Sequence, residues 1–200
     1  MNRLARKTTT TKRCHWVPRG YLRAFAADPP ARSKIWRLSK EHSVKGSELK
    51  PIKKVAVKHH LYVPLDSATG KRDDSFERKV SELERWFGGP VWRALGTEMM
   101  DLTWEPLRKM VALLAAVMQF RNPSHFDIYK DMHRQFVELF SGERGVPSAI
   151  EVDGKLHEID VSSWPAYRDA TEDDLKRGWI DQISTVAWYA KKLMAMRWSV

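Results

Sequence analysis

The stretch Cys14–Phe25, CHWVPRGYLRAF, brings a thiol, an imidazole and two guanidinium groups together. His15 is a candidate catalytic group or ligand for a divalent ion, and Arg19 and Arg23 are candidates for holding a phosphate. Cys14 beside His15 has the residue types of a thiol nucleophile and its base, but adjacent side chains point apart, so the pair is discounted as a dyad. The plain alternative for His15, next to Trp16, is a hydrogen-bonded core or cap residue.

Three more ionisable positions stand out by their spacing. Phe76, Val80, Leu83 and Phe87 recur at i, i+4, i+7 and i+11, the stripe of an amphipathic helix closed by Gly88-Gly89-Pro90. At about 100° per residue, Glu77 and Glu84 fall together beside that stripe as half-buried carboxylates, whereas Glu82 points to solvent. Arg121 shares the apolar face of Leu107, Met110, Val111, Leu114 and Met118. Such an arginine needs a partner, or else ends the helix and snorkels outward.

The elements that position these groups follow from the same patterns. Residues 1–13 are Thr-rich and basic with little to bury, which predicts a disordered arm. Pro18 suits a first helical turn, with Tyr21, Leu22 and Phe25 on one side before Asp28-Pro29-Pro30. Lys34–Leu38 reads as a strand. The alternation Val55, Val57, His59, Leu61, Val63 reads as a second, with His59 and His60 on opposite faces. A short amphipathic stretch, Val91–Leu95, precedes a helix capped by Thr103 with Pro106 in its first turn. Ser124 and Asp127 predict a capping box for the next helix, with Tyr129, Met132, Phe136 and Phe140 inward. A hairpin turns at Asp153-Gly154, and one last helix opens at Thr171 with Asp174 and carries Leu175 through Leu193. MRWSV at the end reads as the opening of a strand.

The expected fold is therefore α+β and mainly α: antiparallel helices with a small N-terminal β element and a late β-hairpin. The expected organisation is one domain over 14–200, with a basic β-containing part (14–65), a helical part (74–140) and a hairpin with C-terminal helix (149–200).

Charge is lopsided. Met1–Leu65 holds 16 Lys and Arg against 3 acids, a net +13, and Asp66–Val200 holds 19 against 22, a net −3, which together give +10. A cationic segment favours a polyanion, so DNA or RNA is the expected partner. Of the nine tryptophans, Trp16 and Trp36 lie in this segment and are the candidate base stackers, whereas Trp86, Trp104, Trp179 and Trp188 sit on or near helix stripes and read as core. One cysteine excludes an internal disulfide framework, and no run approaches the ~20 apolar residues of a membrane span. The basic N-terminus lacks the apolar run of a secretory signal, and a cytoplasmic setting is expected. His-Glu-x-x-His, Walker and Gly-x-Ser-x-Gly motifs are absent.

In order, CHWVPRGYLRAFA, IWRL, HLYVP, FERKVSELE and MQFRNP resemble the uncharacterised bacterial family DUF4238, over about residues 14–200. The polar positions shared with that family are His15, Arg23, Glu77, Glu84, Gln119 and Arg121. The family carries no established activity, and a functional reading of these residue types gathers them in one cleft. There, Glu77, Glu84 and His15 would bind a divalent metal that activates water, while Arg121, Arg23, Arg19 and Gln119 would hold phosphate, the constellation of a metal-dependent phosphodiesterase or of its inactive remnant. The competing reading is a non-catalytic regulatory or protein-interaction domain in which the same residues form an internal ion-pair network. Cys14 stands where the family has a first histidine. The family also continues past the equivalent of Trp198, so a C-terminally truncated form is expected.

Overall fold

The computed structural model describes residues 13–38, 46–86, 101–142 and 145–198. Strand β1 (Arg13–His15) leads into helix α1 (Arg19–Ala24), with Pro18 at the N-cap, one position before its expected place; Pro18 and Leu22 are buried. Arg13, expected in the arm, is instead the first residue of β1. Strand β2 (Lys34–Leu38) pairs antiparallel with β3 (Ser47–Pro51), setting Trp36 opposite Leu49. A 3₁₀ turn at Ile52–Lys54 leads to β4 (Val57–His59), which returns to β1 with His15 opposite Val57. The alternation from Val55 to Val63 thus overstates the strand. His60 turns the chain at φ +50°, its ring centroid stays 6.4 Å from that of His59, and Leu61, Tyr62, Val63 and Pro64 are buried consecutively. Four successive buried residues exclude the in–out alternation of a half-buried strand. A tight hairpin of β5 (Leu65–Asp66) and β6 (Lys71–Arg72) follows.

The helices begin with α2 (Ser75–Trp86); Phe87, Gly88-Gly89-Pro90 and Val91–Leu95 lie outside the described residues. Helix α3 (Glu105–Phe120) has Pro106 in its first turn as expected, but Trp104 is the N-cap, because the Thr103 hydroxyl is spent on Asp101 at 2.5 Å. Helix α4 (Pro123–Phe140) is capped by Asn122, whose side chain accepts from the Ser124 N–H; Pro123 starts the helix one residue before the predicted box. Strands β7 (Ala149–Val152) and β8 (Lys155–Glu158) form the late hairpin, with Asp153 at φ +52° and Gly154 at φ +74°, the left-handed pair that a two-residue turn needs. A short helix α5 (Trp164–Arg168), which the sequence reading lacks, precedes α6 (Glu172–Ser184). Both halves of the Thr171–Asp174 capping box are present. The predicted last helix is two: Thr185 (φ −88°, ψ 4°) breaks it, and α7 (Val186–Ala195) packs on α3. The chain is α+β and mainly α.

Two packings hold these elements together. Ala112 and Ala116 of α3 meet Ala190 of α7, and the small side chains let the helices approach closely. Beside them, Phe126 of α4 stacks on Trp179 of α6 at 5.1 Å between centroids, and Tyr62 joins Trp179 and Phe76 at 5.4 and 5.5 Å. Arg108 of α3 donates to the carbonyls of Met194 (2.8 Å) and Met196 and lies over Trp198. The segment 196–198 is therefore tethered by a side chain, and no strand forms there among the described residues. Four predicted core residues are exposed: Met132 and Phe136, on the part of α4 beyond its contact with α6, and Trp104 and Trp188.

Gly178 of α6 lies against Tyr129 of α4; a Cβ there would stand 2.3 Å from the tyrosine hydroxyl oxygen and 3.2 Å from Cζ. Gly178→Ala should lower stability by about 1–3 kcal/mol in urea unfolding, overriding the helix-propensity gain of about 1 kcal/mol. Adding Tyr129→Phe, which removes the closer clash, should recover most of the loss. Unchanged stability in the single variant would show that the two helices do not meet as described.

Candidate functional site

Arg121 is the C-cap of α3, where the helix turns toward Asn122-Pro123, and it is 1% exposed. A buried guanidinium requires acceptors, and two separate segments supply them while a third holds its backbone; its Nε has no partner among the described residues. Nη1 donates to Glu84 Oε1 of α2 at 2.5 Å, and Nη2 donates to the backbone carbonyl of His15 in β1. The Tyr62 hydroxyl donates to the Arg121 carbonyl, and its ring lies 5.4 Å from the guanidinium carbon. Burial opposes the charge, but Tyr62 and Glu84 outweigh it and hold the Arg121 pKa above its ordinary value.

Glu77, about two helical turns before Glu84 on α2, is 7% exposed, and its Oε2 has no hydrogen-bond partner among the described residues. The Cys14 thiol reaches it, and burial, countered by Arg121 and reinforced by Glu84, raises its pKa to about 7. Cys14 is fully buried and is pushed up to about 11 by burial and by Glu77. A protonated, sealed thiol is no nucleophile. His15 is lowered to about 4 by burial and then by Arg19, Arg13 and Arg121, so its ring is neutral at physiological pH.

His15, Glu77, Glu84 and Arg121 therefore converge, as the shared polar positions imply, but as a buried hub. The expected metal-binding trio is not formed, because Glu84 is paired with Arg121, Glu77 faces Cys14, and His15 meets Arg121 through its carbonyl. Among the described residues, no three His, Cys, Asp or Glu side chains are placed to hold a metal ion. A cleft of about 210 Å³ beside α2 is lined by Tyr62, Phe76, Lys79, Asp73, Arg177 and Asp181, and includes none of the four hub residues.

The remaining candidates separate from this hub. Gln119 is exposed and bonded to His125 at 3.1 Å. Trp16 packs against the core beside Cys14, so it presents little face for stacking, whereas Trp36 is 59% exposed. Arg19 and Arg23 line a second cleft of about 320 Å³ together with Arg32, Lys34 and Lys53, and no acidic side chain lines it. Asp28, the nearby acid in sequence, is occupied by the backbone N–H groups of Ser33 (2.9 Å) and Lys34 (2.8 Å) and by the Ser33 hydroxyl. Among the described residues, none of the five cations has a salt-bridge partner. Arg32, Lys34 and Lys53 escaped the sequence reading. Only Lys34 had a legible signal, its period-two relation to Trp36 on β2. Tyr62, also missed as a hub residue, lies within the shared HLYVP segment.

Two outcomes test the hub. Arg121→Met should cost about 3–5 kcal/mol in chemical unfolding, since it leaves Glu84 and the His15 carbonyl without their donor; a loss below about 1 kcal/mol would show that the guanidinium does not join these segments. Stability against pH should carry two opposed contributions. Glu77 in the folded chain keeps its proton between its ordinary 4.5 and about 7, so its contribution falls as pH rises. His15 in the folded chain refuses a proton between 6.5 and about 4, so its contribution rises with pH. Between pH 4.5 and 6.5 the two offset each other. Relative to the parent, the pH slope of stability in Glu77→Gln should turn more positive and that in His15→Gln more negative; equal slopes would contradict the burial of one or both.

No curated protein and no solved structure matches the chain. No described helix is long and apolar enough to cross a membrane. A family model described as "Protein of unknown function (DUF4238)" matches residues 13–200, nearly the whole chain. The hub itself is assembled from the motif segments CHWVP, HLYVP, FERKVSELE and MQFRNP, and the chain belongs to the DUF4238 family.

Proposed function

We propose that this is a nucleic-acid-interacting protein that contacts phosphates through its N-terminal third. The observation that carries the reading is the cleft at Arg19, Arg23, Arg32, Lys34 and Lys53, whose charged side chains are all of one sign. Across the described part of this segment, residues 13–38 and 46–65, ten Lys and Arg stand against two acids, Asp28 and Glu48. Asp28 is tied to backbone, and Glu48 bonds Arg37 and Lys50 at 2.9 and 2.8 Å. The surplus faces solvent, where it displaces counterions from a polyanion. A cytoplasmic location would give such a surface its partner.

The catalytic form of this reading, a metal-dependent phosphodiesterase using His15, Glu77, Glu84 and Arg121, has weaker support, because Glu77 and Arg121 are buried, Glu84 is paired with Arg121, and His15 is half-buried. The same geometry favours treating them as a scaffold, with the protein a binding module or an inactive remnant. A non-catalytic protein-interaction domain is the second reading, and the exposed apolar side chains Ile128, Met132, Phe136 and Leu139 on α4 favour it.

Affinity for single-stranded DNA or RNA, measured by fluorescence anisotropy, should fall steeply between low and moderate salt, with log K linear in log salt and a slope near −0.7 per phosphate neutralised. Removal of residues 1–12, which carry Arg3, Arg6, Lys7 and Lys12, should weaken binding and flatten that slope. Absence of binding even at low salt would refute the nucleic-acid reading and leave the protein-interaction reading standing.

A further inference from the structure

We infer that the cationic cleft takes the terminal phosphate of a single-stranded nucleic acid, with the attached base stacked on Trp36; this inference rests on the nucleic-acid reading above. The cleft is a hollow, bounded on one side by α1, on the second by the Ala31–Lys34 segment and on the third by the Pro51–Lys53 turn. Its volume of about 320 Å³ sits at the small end of ligand pockets, the scale of one nucleotide and not of a running backbone. The lining includes buried Ile52, and above it stand five cations with no carboxylate among the lining residues.

That charge density selects among phosphates. A diester carries one negative charge, whereas a terminal monoester, with a second pKa near 6, carries between about 1.5 and 2 at neutral pH and offers three acceptor oxygens. Arg19 and Arg23 stand four residues apart on α1, a spacing that stacks them on one helix face. Guanidinium forks on that face, joined by Arg32 and the ammonium groups of Lys34 and Lys53, suit bidentate contact with a dianion.

The β2–β3 hairpin extends the site in one direction. Lys34 and Trp36 are two residues apart on β2 and so share a face; their cross-strand partners are Pro51, which also lines the cleft, and Leu49. Trp36 is 59% exposed and Leu49 is exposed beside it, about 7 Å of strand from Lys34 at a rise of ~3.4 Å per residue. That separation spans a sugar. A phosphate bound among the cations thus leaves its base over an indole platform, where stacking needs no particular sequence. The opposite face of β2 carries Arg37, already bound to Glu48, so the cationic and apolar groups left unpaired are those on the cleft side.

The test is anisotropy at one moderate salt concentration with three oligothymidylates of equal length: 5′-phosphorylated, 3′-phosphorylated and unphosphorylated. One phosphorylated end should bind about tenfold or more tightly than the unphosphorylated strand. Arg23→Ala and Arg32→Ala, both at exposed positions, should abolish that preference with unchanged circular dichroism and melting temperature. Trp36→Ala should weaken binding of the preferred strand. Lys58→Ala, a cation on β4 outside the cleft lining, should weaken all three strands alike and leave the preference intact. Equal affinity for the three oligonucleotides would overturn this inference while leaving the nucleic-acid reading in place. Failure of all three to bind at low salt would overturn both.

Discussion

A guanidinium removed from water must have its charge matched by the chain that buries it, and Arg121 draws three distant segments together to do so, although its buried Nε finds no acceptor among the described residues. Its acceptors are a carboxylate from α2 and a carbonyl from β1, its own carbonyl accepts from Tyr62, and its position at the end of α3 fixes where α4 starts. An apolar side chain at that position would bury as easily and would say nothing about which segments must meet. The arginine specifies the meeting, since any arrangement that withholds one acceptor leaves a buried donor unsatisfied at a cost of about 1–3 kcal/mol.

The same device recurs wherever the chain lacks a sheet. Among the described residues the strands form only two-stranded pairs, two to five residues long, and such ladders leave many backbone carbonyls without a partner. Arginine side chains reach several of them. Arg13 donates to the Lys53 carbonyl at 2.6 Å, Arg72 to Val63 at 2.9 Å, Arg177 to Leu65 at 2.6 Å and Arg108 to Met194 at 2.8 Å. Three of these four are in the β-rich half or brace it, which ties part of the arginine content to architecture; among the described residues the cleft cations make no such contact.

Local chemistry was readable from the sequence where it depended on neighbours. The Thr171–Asp174 capping box, the Asp153-Gly154 turn, the α2 stripe with Glu77 and Glu84 on its inner flank, and the need of Arg121 for a partner all follow from spacing of four residues or fewer, or from one helix face. What escaped depended on what lay across the fold. Alternation from Val55 to Val63 mimics a strand, but His60 at φ +50° ends it, and Leu61–Pro64 are buried on both sides by α2, α4 and α6. Met132 and Phe136 fit an inward stripe that finds nothing to face among the described residues. The break at Thr185 has no proline or glycine to announce it; α7 turns there because Ala190 packs on Ala112 and Ala116 of α3. The convergence of His15, Glu77, Glu84 and Arg121 came from a functional reading of the positions shared with the family, and the pairing of Glu84 with Arg121 was not visible in residue type, since a paired carboxylate and a catalytic one read alike.

Helix α1 joins the hub to the cationic cleft, and its energetics bear on why the cleft exists. Six residues are too few for a helix to hold itself in water, because nucleation costs more than so short a run of hydrogen bonds returns. Arg19 and Arg23, like charges at i and i+4, weaken it by a few tenths of a kcal/mol more. Its order comes from burial of Pro18 and Leu22 on the core side, adjacent to the Arg121–His15 contact. The hub therefore supplies the rigidity, and α1 uses it to hold two repelling arginines against Arg32, Lys34 and Lys53 across a hollow. Folding alone gains nothing from that concentration of one sign, and any neutral pair at 19 and 23 would serve α1 better. A bound polyanion would convert the repulsion into attraction, and because the backbone of α1 is held by the core, the ordering cost would fall on the exposed cationic side chains.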